Sequence, residues 1–406
     1  MSRAGAHAVD LWALLVGNHS HSIKELHDTH GPIVRTRPDT LTFNTADAWK
    51  DIYGSRPGKG QLQKDERFYR VGGDNRTHIV FCNDEDHTRM RKLLSHAFSD
   101  AALRQQEPIM AEYFELLVNQ LKKRIDGEEK GEVDLKKWYN FLTFDIIGDL
   151  CFGESFGALE SGEYHKWMGN LLGGAKYGRI MVIATFYQPL MMILRGLMAM
   201  IPAVGRAQKE HDEFTNVKTQ ARLDRKTDRN DFMTYILRHN DERGMSKDEI
   251  MNSSGLLIIA GSETTATLLS GLTYYLLKHP AAYEKVKAEV RNAFEKAEDI
   301  SLTSTGHLPY LFACMEEAFR LYPPVPLALP RMTPKEGAMI GSTFVPGDTR
   351  VAVAQYASYH SATNFHNPEA FVPERWLPNP PEEYKNDNTS VLNPFSTGPR
   401  NCIGKK

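Results

Sequence analysis

Phe395-Ser-Thr-Gly398-Pro-Arg400-Asn-Cys402-Ile-Gly404 ends two residues before Lys406 and reads as a loop built to hold one cysteine thiolate against a metal. Gly398 admits a backbone conformation closed to other residues. Arg400 brings positive charge two residues before the sulfur, and Gly404 removes a side chain where something flat could pack close. A buried cysteine in a glycine-containing turn is the ordinary alternative for a lone Cys-x-Gly. Five constrained positions in ten residues leave that alternative little room.

The bulk of the chain is unremarkable in composition. Its 406 residues can bury a large core, and 41% hydrophobic with 25% charged residues is the balance of a soluble globular protein. No Gly/Ser-rich linker, repeat or charge block marks a boundary, so residues 1–406 read as a single domain. A net charge of −2 without a Lys/Arg-rich run gives no reason to expect nucleic acid. Cys82, Cys151, Cys314 and Cys402 are far apart and form no C-x-x-C pair, which argues against a disulfide framework and against zinc. The first three read as small buried hydrophobes. No signal peptide and no uninterrupted span of about 20 apolar residues is present.

Periodicity supports a mainly α fold with a minor β part. Gly31 to Tyr53 alternates apolar and polar residues and then turns helical from about Ala46. Gly54 to Val80 reads as a loop, and a helix follows from about Asp84, a plausible N-cap, to Phe98. Helices dominate to about Leu321, after which Pro-rich loops and short strands take over. Ser246-Lys-Asp-Glu249 is a capping box opening a long helix that His279-Pro280 stops near Lys278. Near its middle lies Ala260-Gly261-Ser262-Glu263-Thr264-Thr265. An interior helical glycine costs about 1 kcal/mol relative to alanine, so Gly261 wants a reason, and a ligand approaching the backbone is one. Thr264 lies one turn beyond Ala260 and can bond back to its carbonyl. Glu317 and Arg320 stand three apart on a helix with apolar neighbours, and Arg375 in Pro373-Glu-Arg-Trp can bond Glu317 from a separate loop.

Phe-x-x-Gly-x-Arg-x-Cys-x-Gly is the haem-binding signature of the cytochrome P450 monooxygenases, and the chain resembles that family. The other motifs stand in the family's order: His87/Arg91, Ala260–Thr265, Glu317/Arg320, Arg375, Cys402. The resemblance implies that Cys402 is the thiolate on haem iron, with Phe395, Gly398, Arg400 and Gly404 shaping its loop. Ala260 and Gly261 would lie over the haem. Glu263 would relay protons and Thr264 would position oxygen. Glu317, Arg320 and Arg375 would form a structural triad behind the cysteine loop. His87, Arg91, Arg331 and Arg400 would serve the propionates, His87 standing where relatives often have Trp.

Substrate contacts are expected from the Gly54–Val80 loop, from Ala328 and Leu329, from Leu257 and Leu268, and from the Met-rich segment Ile180 to Ile201. Ordinary helix core is an equal reading of that segment, part of which could instead touch a membrane surface. Electrons would come from NADPH through a reductase, and an unactivated C–H bond of a hydrophobic fungal secondary metabolite such as a terpenoid would receive one oxygen atom of O2. The family lives on the cytosolic face of the endoplasmic reticulum, but the usual N-terminal membrane helix is missing here. The helix that relatives carry after the cysteine is missing too, so the chain is expected to be truncated at both ends. A haem-deficient fragment is therefore one alternative. A haem-thiolate isomerase or peroxygenase is the other, and it would dispense with the Glu263–Thr264 pair.

Overall fold

The computed structural model describes residues 12–56, 58–69, 77–127, 131–165, 167–169, 196, 202–225, 227, 229–241 and 244–405. Apart from Gly196, the Met-rich segment Ile180 to Ile201, with Met181, Met191, Met192, Met198 and Met200, lies outside the described residues. In chain order the principal elements are α1 (His19–His30), β1 (Ile33–Arg37), β2 (Thr40–Phe43), α2 (Ala46–Tyr53), β3 (Gln63–Lys64), α3 (Glu66–Tyr69), α4 (Asp84–Ala97), α5 (Asp100–Ile125), α6 (Leu135–Phe152), α7 (Ala158–Ser161), α8 (Pro202–Asp224) and α9 (Phe232–His239). They continue with α10 (Lys247–Lys278), α11 (Pro280–Ala293), α12 (Pro309–Leu321), β4 (Arg331–Met332), β5 (Ala338–Ile340), β6 (Thr343–Val345), β7 (Arg350–Val353) and α13 (Gln355–Tyr359). The fold is mainly α with small sheets.

Two compact units emerge, residues 1–71 with 271–402 and residues 72–270 with 403–406. The first holds a five-stranded sheet of order β1-β2-β7-β4-β3, antiparallel except for the β2–β7 pair. Its register sets Leu41 beside Val351 and Phe43 beside Val353. Trp49, Ile52 and Tyr53 on α2 bury against those residues, together with Leu62, Ile340 and Val345. The Tyr53 hydroxyl accepts from the Val353 N–H at 3.1 Å and donates to the Leu329 carbonyl at 2.9 Å. It therefore fixes α2 to the strand and to the loop entering β4.

The second unit is helical, and its helices begin where short polar side chains can take the first N–H groups. Ser99 accepts from Ala102 N at 3.2 Å, Asp134 from Lys137 N at 3.2 Å, and Asp231 from Thr234 N at 2.8 Å. Helix α10 opens on the capping box read from the sequence, with Ser246 N donating to Glu249 at 2.8 Å and Glu249 N to Ser246 Oγ at 3.2 Å. Its core collects Met90 and Leu94 from α4, Phe141, Phe144 and Phe152 from α6, and Leu257 and Ile258 from α10.

Two local expectations are corrected. The cap of α4 is Asn83, whose side chain accepts from Asp86 N, and Asp84 is already helical. The Gly54–Val80 stretch is not wholly loop, because Gln63–Lys64 pairs with β4 and Glu66–Tyr69 forms one helical turn. Among the described residues α10 alone is long and apolar enough to cross a membrane, although buried Ser253, Ser254 and Ser262 mark it as a core helix.

Candidate functional site

In the first unit the cysteine loop is pinned at several backbone points. Cys402 N donates to Phe395 O at 2.9 Å, Asn401 N to Gly398 O at 3.1 Å, and Ser396 N to Asn393 O at 2.9 Å. Thr397 Oγ1 reaches the Trp49 carbonyl at 3.3 Å, tying the loop to α2. Phe395 packs edge-on against Phe319 of α12 at 5.3 Å. Ser396 and Gly398 both adopt left-handed backbone, φ 58° and 75°, and a Cβ on Gly398 would stand 2.0 Å from the Tyr53 carbonyl oxygen. The glycine is thus required twice, by its own torsion and by close approach to α2. Cys402 ends this rigid loop with its side chain exposed, and Gly404 lies in the exposed turn after it.

Behind the loop, Glu317, Arg320 and Arg375 come together with fully buried side chains. The Glu317 carboxylate accepts five hydrogen bonds: from Arg320 Nε and Nη2 at 2.8 Å each, Arg375 Nε at 3.2 Å, Val372 N at 2.8 Å and Trp376 Nε1 at 2.8 Å. Arg320 also donates to the carbonyls of Tyr359 and Ala370 at 2.9 Å and to that of Pro368, and Arg375 pairs with Asp387. Charges buried this deeply are tolerable only with such saturation. The cluster connects to the cysteine loop because Tyr359 Oη accepts from Asn393 N at 3.1 Å. Sequence reasoning found the three charged members and missed Trp376 and Asp387. Trp376 adjoins Arg375 in the same motif, which was its available signal.

The first unit also gathers cations around Tyr69 of α3. Arg331 and Arg400 both act electrostatically on its hydroxyl, and Lys64 lies 4.5 Å above its ring. Burial, the larger effect, pushes the phenol up to about 12 despite these neighbours. Arg331 is buried, 5.7 Å from the Tyr53 ring, and the register sets it opposite Lys64 and Val351. Leu329 packs on the core below the sheet and Ala328 is half-buried.

In the second unit, Thr264 Oγ1 donates to the Ala260 carbonyl at 2.6 Å, the back-bond that the spacing suggested. Ala260 and Ile259 are exposed in the middle of a helix whose neighbouring turns bury Leu257, Ile258, Ser262 and Ala266. Glu263 is half-buried, and burial raises its carboxyl above the ordinary range, with Lys136 of α6 opposing. Gly261 has a reason other than the ligand approach inferred from sequence: a Cβ there would lie 2.9 Å from Ile147 Cδ1 on α6. His87 is buried on α4 and Arg91 half-buried one turn on. Leu257 and Leu268 are buried, Leu257 within the main core.

These residues fit a haem better than a bare metal ion. Among the described residues no three His, Cys, Asp or Glu side chains converge on one point, and a single thiolate suits a metal delivered inside its own macrocycle. The exposed cysteine on a fixed loop could supply a thiolate donor to such a group. Within the first unit Arg331 and Arg400 could partner carboxylates, and within the second unit His87 and Arg91 could do the same. The exposed apolar face at Ile259 and Ala260 suits a flat hydrophobic surface.

Residues 9–406 match the family model described as Cytochrome P450. The chain is 41% identical over 393 residues to "Cytochrome P450 monooxygenase astJ" of Aspergillus oryzae, covering 96% of this chain and 78% of the relative. It is 40% identical over 406 residues to "Cytochrome P450 monooxygenase efuB" of Hormonema carpetanum, covering 99% and 80%. To "Cytochrome P450 monooxygenase FUM2" of Gibberella moniliformis it is 39% identical over 396 residues, covering 97% and 83%.

Proposed function

The chain belongs to the cytochrome P450 family, and from that premise we propose that it uses Cys402, Thr264 and Glu263 to insert one oxygen atom of O2 into a hydrophobic small molecule. The reaction balances with two electrons and two protons: a C–H bond becomes C–OH, and the second oxygen leaves as water. NADPH supplies the electrons through a cytochrome P450 reductase, on the cytosolic face of the endoplasmic reticulum membrane. The kinship with fungal relatives supports a fungal secondary metabolite as substrate, a terpenoid among the candidates.

The observation that carries the reading is the Thr264 to Ala260 bond at 2.6 Å beside a half-buried carboxyl. Haem, when bound, supplies the oxygen chemistry. The chain's own residues do the rest. Cys402 donates its thiolate from a loop whose backbone is already fixed, so little ordering is left for binding. Arg331, Arg400, His87 and Arg91 would hold the propionates. Thr264 holds its hydroxyl over the Ala260 carbonyl, where it can exchange that acceptor for one in the site. Glu263, whose carboxyl burial raises above the ordinary range, can take up a proton and pass it on. The triad holds the cysteine loop.

The test is the carbon monoxide difference spectrum of the dithionite-reduced protein, for the wild type and Cys402→Ser. A strongly red-shifted band lost on substitution supports thiolate ligation, whereas no haem or a band unchanged in Cys402→Ser overturns it. Thr264→Ala is expected to keep the band and divert oxygen consumption into peroxide or water. Unchanged coupling removes Thr264 from the mechanism.

A further inference from the structure

Helix α5 carries Ala111, Phe114, Val118, Leu121 and Ile125 at successive spacings of three, four, three and four. That is the strict heptad seam of a two-stranded coiled coil, narrower than the stripe a helix needs to sit on a globular core. The core-facing side of α5 is centred on other residues and meets the seam at Leu121. Leu117 and Gln120 are buried, and Gln120 Nε2 donates to the Leu159 carbonyl at 3.2 Å. Most of the seam is open, with Phe114, Val118 and Ile125 50%, 48% and 60% exposed, while Leu121 is half-buried and packs in part against the core. A largely open apolar seam on a helix already fixed from behind is ready for a second helix.

The charges beside the seam specify which helix. Glu115 and Lys122 are both exposed and occupy the same heptad position, one heptad apart. In an antiparallel pair, equivalent flanking positions of the two helices face each other. A second α5 running the opposite way therefore sets Glu115 against Lys122 of the second copy, and Lys122 against Glu115. The same register brings Phe114 beside Ile125 and Val118 beside Leu121 of the second copy. A parallel pair would instead set these charges against Met110 and Leu117. Arg124, the other cation near the seam, is engaged within the chain, 4.6 Å from the Trp138 ring.

We propose that the outer face of α5 is a docking surface for a second copy of this chain, joined by antiparallel, two-fold symmetric α5–α5 packing. From Phe114 to Ile125 the seam is about 16 Å long, so the buried area falls in the range of weak, transient association rather than an obligate dimer.

Sedimentation velocity of the full chain from about 1 to 100 µM is expected to show a reversible monomer–dimer equilibrium. Val118→Lys should abolish it. Glu115→Lys and Lys122→Glu should each weaken it by about tenfold or more, because symmetry doubles every like-charge contact. The double variant Glu115→Lys/Lys122→Glu should return to within about threefold of the wild type, since the charges again oppose. All three positions are solvent-exposed, and unchanged thermal melting will verify that each variant folds. A monomer at every concentration overturns the proposal, as does a dimer indifferent to the single charge changes or one that the double change fails to restore.

Discussion

Glu317→Gln changes one atom type at the centre of the buried cluster and removes one charge. The carboxylate takes donors on both oxygens: Arg320 Nε and Trp376 Nε1 on one, Arg320 Nη2, Arg375 Nε and Val372 N on the other. A glutamine keeps one of those oxygens. Its amide group then meets at least two donors where an acceptor stood, buried Arg320 loses its counter-charge, and Arg375 is left with Asp387 alone. Breaking a buried ion pair by removing one partner costs about 3–5 kcal/mol. An entropy of unfolding near 2.1 cal/mol/K per residue gives roughly 0.85 kcal/mol/K for a chain of this length, so 4 kcal/mol lowers Tm by about 5 °C if melting is a single transition. Calorimetry of wild type and variant measures it. A second readout is Cys314, one turn before Glu317 and fully buried, whose thiol burial pushes up to about 12, with Glu374, Glu289 and Glu317 adding to the shift. It should resist alkylation in the wild type and react faster in the variant. A melting point within about 1 °C of wild type, with Cys314 still protected, would refute the claim that this cluster holds α12 to the loops around it.

Gly398→Ala should reduce both stability and haem content, because its Cβ would meet the Tyr53 carbonyl at 2.0 Å in left-handed backbone; normal haem loading counts against the rigid-loop argument. Gly261→Ala gains up to about 1 kcal/mol of helix propensity but meets Ile147 Cδ1 at 2.9 Å, so it should destabilise the wild type and stabilise an Ile147→Ala background. A double-mutant cycle by chemical denaturation reads that change of sign. Burial raises the Glu263 carboxyl in the folded chain, with Lys136 opposing. The folded state therefore binds this proton more tightly than the unfolded one. The charged form disfavours folding above the raised pKa, and the penalty disappears as pH falls through it toward the unfolded value near 4.3. Glu263→Gln should be the more stable protein at pH 7 and lose that advantage as pH drops; a constant difference would show that burial does not raise the group.

Elements with local signals were legible and those made by distant pairing were not. Helix α2 begins and ends where alternation gives way to helical period, and α10 opens on a capping box whose four residues are contiguous. Strand β3 is two residues long and exists because Lys64 meets Arg331, far along the chain; nothing within Gly54–Val80 announces it. The cap of α4 fell on Asn83 rather than Asp84 because both side chains can cap. The choice depends on which residue still has extended backbone, here Asn83 at ψ 175°.

The site was legible as constraint, and the direction of the constraint was not. Glu317, Arg320 and Arg375 signal themselves because buried charge has few solutions. Asp387 and the Val372 amide complete the cluster from loops that the charge pattern does not connect. Gly261 and Gly398 signal close approach, and the sequence leaves open whether a ligand or the protein approaches. In both cases the neighbour nearest to an added Cβ belongs to the protein, Ile147 Cδ1 for Gly261 and the Tyr53 carbonyl for Gly398. Substituting either glycine therefore perturbs packing before it perturbs any bound group. Haem loss in such a variant is evidence about the site only when melting shows that α2 and α6 are still in place. That is why the Gly261 cycle is run against Ile147, where relief of the clash separates the packing term from whatever the haem contributes.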